Sequence, residues 1–361
     1  MHPVRILVDS FADAGLTNAQ MGNAREIVRR LDPERFHVSI FCSGPADVGI
    51  AGRRNTRLVQ VPRRLQTTKI LREFIFGRHH LLFYLKSSPA ARYYLGLRRK
   101  FGDKRPVIGT VESQSDLRNE PTISPEAVHL WEHTILRSDW LFSNSTAVRQ
   151  SLLKEYGLVS EVLPTGVDTQ YFFPPTKSRE RGRLKVLYAG ALRPFKHPHI
   201  IVEAAMRFPE ADFVLAGTGL MAADLRERVR HEQLTNIEFL GLRTSEQLRL
   251  DYQHADVFLF PSTWEGSPKV LLEAASSGLP VIARRNYRPE SVVDGVTGFL
   301  VDGDEELFAR LGELIRNPEL RTSMGGAGRQ HAQKFDWDII TRQWEAVFER
   351  LMVQSSRRSV A

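Results

Sequence analysis

Val257-Phe-Leu-Phe-Pro-Ser-Thr-Trp-Glu-Gly-Ser-Pro-Lys-Val-Leu-Leu-Glu273 is the stretch on which the reading of this chain turns. Val257 to Phe260 is a short apolar run of the kind that forms a buried strand. Ser267 suits a helix N-cap and Pro268 the first helical position. Gly278 and Pro280 stop that helix, and Pro280-Val-Ile-Ala283 reads as the next strand. Strand, loop, helix, strand is the βαβ unit of an open parallel sheet, in which ligands sit outside the carboxyl ends of the strands. Glu265 then lies in the ligand loop and Glu273 one turn into the helix. The helix start, from Gly266 through Ser267, Pro268 and Lys269 to Val270, turns N–H groups toward the same place and favours an anion. Two carboxylates beside an anion site make sense if they accept hydrogen bonds from hydroxyls, and a sugar nucleotide carries both groups. A solvated loop Glu265 and a surface Glu273 fit the same spacing.

Glu265 and Glu273, set in Pro261-Ser-Thr-Trp-Glu-Gly-Ser-Pro-Lys-Val-Leu-Leu-Glu-Ala274, closely resemble the signature of glycosyltransferase family 4. The resemblance implies the GT-B fold: two doubly wound, Rossmann-like α/β domains facing across a cleft. It also implies a retaining enzyme that uses a nucleotide diphosphate sugar. On it, Glu273 holds the donor ribose hydroxyls and Glu265 orients the sugar.

Bulk properties agree with a soluble two-domain protein. The chain has 361 residues, 42% of them hydrophobic and 25% charged. The single Cys42 rules out an internal disulfide framework and suits a reducing, cytoplasmic setting. Met1 to Val8 reads as a first strand, not a signal peptide, and no apolar run is long enough for a membrane span. The net charge of +8 makes an acidic partner plausible. Much of it sits in residues 63–105, which hold twelve basic residues against Glu73 and Asp103, interleaved with Phe74, Phe76, Phe83, Tyr84, Tyr93 and Tyr94. That mixture suits peripheral contact with an anionic membrane, on its inner face. Solvated helix faces over core aromatics are the plainer alternative, and no recognised nucleic-acid motif accompanies the segment.

Elsewhere the family pattern is followed with departures. After the first strand the family places paired glycines facing the donor, and here Gly15 stands alone. Pro106 to Val111 reads as a strand ending at Glu112, where many relatives carry a His near the transferred sugar and the acceptor. Leu163-Pro-Thr-Gly-Val-Asp168 resembles the segment before the domain linker. The expected organisation is an acceptor-side domain over 1–172, a linker over 173–182, a nucleotide-sugar domain over 183–336, and a helix over 337–361 packing back on the first domain before a disordered tail from Gln354. Gly190 opens a loop in which Lys196 matches the family Lys that holds the diphosphate. Ala191 stands where the family has Arg, with Arg193 displaced by two residues. Gly241 ends the segment that meets the base. Tyr287 and Arg288 replace the glycines usual before Pro289-Glu290.

No metal or other cofactor is expected. His129-Leu-Trp-Glu-His133 matches a zinc-protease pattern and Asp302-Gly-Asp304 a metal pattern, but the first lies in an ordinary helix and the second reads as a helix cap. The expected reaction is glycosyl transfer to an acceptor glycan or glycolipid, with Glu265, Lys196, Arg193 and Glu112 at the reacting centre. A sugar-nucleotide epimerase of the same fold and a non-catalytic sugar-nucleotide-binding partner subunit are the alternatives.

Overall fold

The apolar runs pair, in the computed structural model, into two wholly parallel sheets. The structure describes residues 3–14, 18–114, 123–176 and 182–358. The first sheet contains β1 (Val4–Phe11), β2 (Phe36–Cys42), β3 (Thr56–Gln60), β4 (Leu81–Leu85), β5 (Val107–Val111), β6 (Trp140–Ser143) and β7 (Glu161–Val162), in the order β3-β2-β1-β4-β5-β6-β7. The second contains β8 (Leu184–Ala189), β9 (Ala211–Ala216), β10 (Ile237–Gly241), β11 (Val257–Phe260), β12 (Val281–Arg284) and β13 (Gly298–Val301), in the order β10-β9-β8-β11-β12-β13. Strands such as β4, β11 and β12 are buried along their whole length, as parallel strands covered on both faces must be. In each sheet the strand order reverses once, between β1 and β4 and between β8 and β11. Loops leaving those neighbouring strand ends diverge, and the crevice between them is where a doubly wound sheet binds its ligand.

The chain divides into two compact units, residues 1–164 with 337–361, and residues 165–336. The division precedes the boundary expected after residue 172, because residues 165–172 pack into the second unit. Phe172 is buried 5.8 Å from the Tyr252 ring, and its carbonyl accepts from Ser276 Oγ at 2.6 Å and Arg329 Nη1 at 2.9 Å. The expected linker, 173–182, lies partly outside the described residues.

The last helix, Trp337–Arg358, belongs to the first unit. Ile340, Trp344, Val347 and Leu351 are buried at the helical spacing legible in the sequence. Phe83 of β4 meets Trp344 and Phe348 at ring distances of 4.8 and 4.9 Å, so truncating Trp344 to Ala should cost about 3–5 kcal/mol. The helix continues to Arg358, which corrects the expectation of disorder from Gln354. No helix among the described residues is long and apolar enough to cross a membrane.

Candidate functional site

At the reversal of the second sheet, the loops after β8 and β11 interlock. Gly190 N–H donates to Ala216 O at 2.9 Å and Leu192 N–H to Thr218 O at 3.0 Å, which fastens the loop after β8 onto the loop after β9. The approach is backbone to backbone: a Cβ at Gly217, which has φ +144°, would lie 1.9 Å from Gly190 O. The loop after β8 ends in the single turn Pro194–Lys196, and Phe195 O accepts from Thr263 N–H at 3.0 Å.

This brings together Lys196 and Glu265, two residues singled out by the motif, as an ion pair between Nζ and Oε1. The side chains are only 17% and 11% exposed, so water and salt screen the pair far less than a surface bridge. Ser262 Oγ donates to the same carboxylate oxygen at 2.5 Å. The ammonium also lies 5.2 Å from the Phe260 ring centre and 5.5 Å from that of Phe195. His197 bridges the two loops, with Nε2 2.9 Å from Thr263 Oγ1; burial lowers its pKa, and His199 and Arg284 add to the shift.

The helix after this loop is Lys269–Ser276. Its N-cap is Pro268, not the expected Ser267, and no side chain caps it. In its first turn Leu271 N–H donates to Pro268 O at 3.2 Å. Glu273 is half-buried and accepts from Tyr252 Oη at 3.0 Å. Burial raises its pKa above the ordinary glutamate value, opposed by the Lys269 charge and the Tyr252 hydroxyl. Added hydrogen-bond donors would favour the ionised form of such a carboxylate. Tyr252 is not marked as a site residue in the sequence, because its burial and its contact with Glu273 arise only on folding.

The other residues singled out from the sequence lie in both units. Arg193 is exposed on the loop after β8, and the Ala191 carbonyl accepts from Tyr188 Oη at 3.0 Å. Gly241, at the end of β10 with φ +70°, accepts from Gly217 N–H at 2.8 Å. Tyr287 is wholly buried with its hydroxyl unpartnered, and Arg288 takes the positive φ of +46° where the resemblance expects glycine. Asp304 pairs with Arg284, and Asp302 Oδ2 lies 3.4 Å from Arg285 Nε; Gly303 holds the N-cap position, which corrects the reading of these aspartates as a cap. His129 and His133 stack with ring centres 4.0 Å apart, while Glu132 accepts from Tyr156 Oη at 3.0 Å. No group of three or more His, Cys, Asp or Glu among the described residues is placed to hold a metal ion.

The first unit carries its own polar cluster at the reversal between β1 and β4. Glu112, just past β5, accepts from Tyr84 Oη and from Asn23 Nδ2, the latter at 3.1 Å, while its carbonyl accepts from Asn144 Nδ2 at 3.1 Å. Tyr84 takes φ +64°, uncommon for a bulky residue. Asp9, buried at the end of β1, accepts from Lys86 N–H at 2.8 Å, and burial pushes its pKa up to about 6. The half-buried Lys86 ammonium is shifted down by burial and lies 5.7 Å from the Phe11 ring centre. Asn23 Oδ1, Asn144 Oδ1 and Ser10 Oγ are buried without a protein partner. Of these residues only Glu112 was singled out from the sequence as part of a site. Gly15 lies outside the described residues.

Residues 172–331 match the family described as Glycosyl transferases group 1. The chain is 28% identical over 276 residues to the D-inositol 3-phosphate glycosyltransferase of Corynebacterium diphtheriae, a match that covers 67% of this chain and 65% of the length of that relative. Among solved structures, it resembles sucrose-phosphate synthase from Thermosynechococcus elongatus with a TM-score of 0.79 and 18% identity, covering 98% of this chain and 100% of the other. It also resembles an Anabaena protein solved in complex with UDP-glucose, with a TM-score of 0.72 and 19% identity, covering 96% and 99% of the two chains. Together with the two parallel sheets, these likenesses establish the two-domain, Rossmann-like GT-B fold.

Proposed function

We propose that this protein is a retaining glycosyltransferase that moves a sugar from a nucleotide diphosphate sugar to a glycan or glycolipid acceptor. The observation that carries the reading is the Lys196–Glu265 pair at the strand-order reversal, followed directly by an uncapped helix start and the Tyr252-bound Glu273. Lys196, the N–H groups of Lys269 and Val270, and the exposed Arg193 would hold the diphosphate and stabilise its charge as the glycosidic bond breaks. The ammonium would then exchange Glu265 for phosphate oxygens, leaving Glu265 to accept from sugar hydroxyls. Glu273 would accept from the ribose. Gly190 and Gly241 would let the backbone come close to the donor. In the first unit, Glu112 is the residue assigned to the acceptor side, held by Tyr84 and Asn23.

As part of the same reading, the protein works from the cytoplasm against an anionic membrane face, through residues 63–105. No metal is required, because the cationic groups named above supply the charge that a metal would.

Incubation with candidate sugar nucleotides, with and without lipid-linked acceptors and with a chelator present, tests the proposal. Acceptor-dependent release of nucleoside diphosphate, unaffected by chelator, is expected. Donor turnover without an acceptor would instead identify an epimerase, and donor binding without turnover a partner subunit.

A further inference from the structure

A groove of about 770 Å³ lies in the first unit, between the sheet and the helix Gln66–Phe76. Strands of a parallel sheet are ordinarily apolar on both faces. Here the register places Arg5 beside His37 and Ser39 beside Arg57, so that one face at the start of β1, β2 and β3 is polar. The alternate residues Ile6, Val38 and Ile40 are buried on the other side. The helix opposite answers in kind. Its buried face is Ile70 and Phe74, while Lys69, Arg72, Glu73 and Phe76 recur at the spacing of one helical face and line the groove.

Five cations thus converge: Arg5, Arg57, Lys69, Arg72 and Arg78. Glu73 is the one carboxylate lining the groove among the described residues, and it already pairs with Arg57. Phe76, at the end of the helix, is 76% exposed, and Leu65, just before its start, is 52% exposed. Other basic residues of the 63–105 segment are engaged within the fold: Arg98 with Asp139, Arg105 with Asp103, and Lys86 beside Asp9. Of the twelve basic residues of 63–105, three are thus held inside the fold and three, Lys69, Arg72 and Arg78, line the groove.

We propose that this groove seats the phosphate headgroup of an anionic phospholipid, with Phe76 and Leu65 entering the bilayer on either side. Charge complementarity selects a phosphate-bearing ligand, and two exposed apolar side chains flanking the cations select a bilayer over a soluble anion. The inference rests on the membrane-contact part of the proposed function and gives it a site, two of whose five cations, Arg5 and Arg57, lie outside the segment singled out from sequence.

Co-sedimentation of the full chain with phosphatidylcholine vesicles, with or without phosphatidylglycerol, tests it. Binding should require phosphatidylglycerol and weaken at high salt. The exposed pair Arg72→Glu/Arg78→Glu should lower it about tenfold or more, and Phe76→Ser about threefold, with melting temperature and sugar-nucleotide affinity unchanged. Arg92→Glu/Lys100→Glu changes as much charge outside the groove and should lower it less than about twofold. An equal loss in both pairs would overturn the groove and leave the membrane contact standing. Absence of binding by wild type to either vesicle would overturn both. Full competition by inorganic phosphate at constant ionic strength would show a soluble anion site instead.

Discussion

The two units place carboxylates at equivalent points, the reversal of strand order in each sheet, and treat them differently. In the second unit Glu265 has a cation, Lys196, and Glu273 a tyrosine hydroxyl. Both belong to one short loop–helix segment. In the first unit Asp9 is buried with a backbone N–H and a nearby ammonium, and Glu112 is held by Tyr84 and Asn23, all from separate elements. The contrast shows two ways to ready a polar site. One gives its two carboxylates a cation and a hydroxyl, and the other leaves Asn23 Oδ1, Asn144 Oδ1 and Ser10 Oγ buried beside its carboxylates without a protein partner.

The comparison breaks most decisively at Lys196. If the ion pair is the diphosphate site, Lys196→Ala should lower kcat/KM by about a hundred- to a thousandfold, as for removal of a group that meets charge developing in the transition state. Steady-state kinetics with the cognate donor measures it; a loss under tenfold would reduce the pair to a structural bridge.

Next comes Asp9, where the expected effect is on stability. Its pKa is about 6 in the native protein against an ordinary 3.8, so folding takes up a proton between these values. Its contribution therefore falls as pH rises from about 4 to 6, and the cost is complete above that. Asp9→Asn should stabilise the protein by up to about 3 kcal/mol at pH 7.5, and the gain should vanish near pH 4. Denaturant melts across that range decide it, and a gain independent of pH would exclude titration of Asp9 as the cause.

Glu273→Gln keeps the shape and one acceptor oxygen. Donor affinity measured by calorimetry should weaken by about ten- to a hundredfold with little change in melting temperature. If affinity holds while stability drops, Glu273 serves only Tyr252. The smallest donor effect belongs to Glu112→Gln: donor affinity should stay within about twofold while acceptor KM rises, because the acceptor assignment gives Glu112 no donor contact. A donor defect as large as that of Glu273→Gln would erase the distinction between the two sites.

By itself, the sequence determined the βα elements and the parallel sheets and marked Glu265 and Glu273, because each depends on residues close together in the chain. A buried strand shows as an apolar run, the last helix shows as Ile340, Trp344, Val347 and Leu351 at helical spacing, and Glu265 and Glu273 are eight positions apart on one loop and helix. Even there, the N-cap at Pro268 and the partners Tyr252 and Ser262 needed coordinates, since capping geometry and side-chain reach are not properties of a pattern. Only the tertiary structure decided the rest. Strand order, not spacing, gathers Asp9, Asn23, Tyr84, Lys86, Glu112 and Asn144, which lie more than a hundred positions apart at the extremes. The packing of Phe172 against Tyr252 moved the unit boundary. Folding also divided the basic residues of 63–105 among internal partners, the groove and the open surface, because a charge written in the sequence carries no record of which face, or which carboxylate, it will meet.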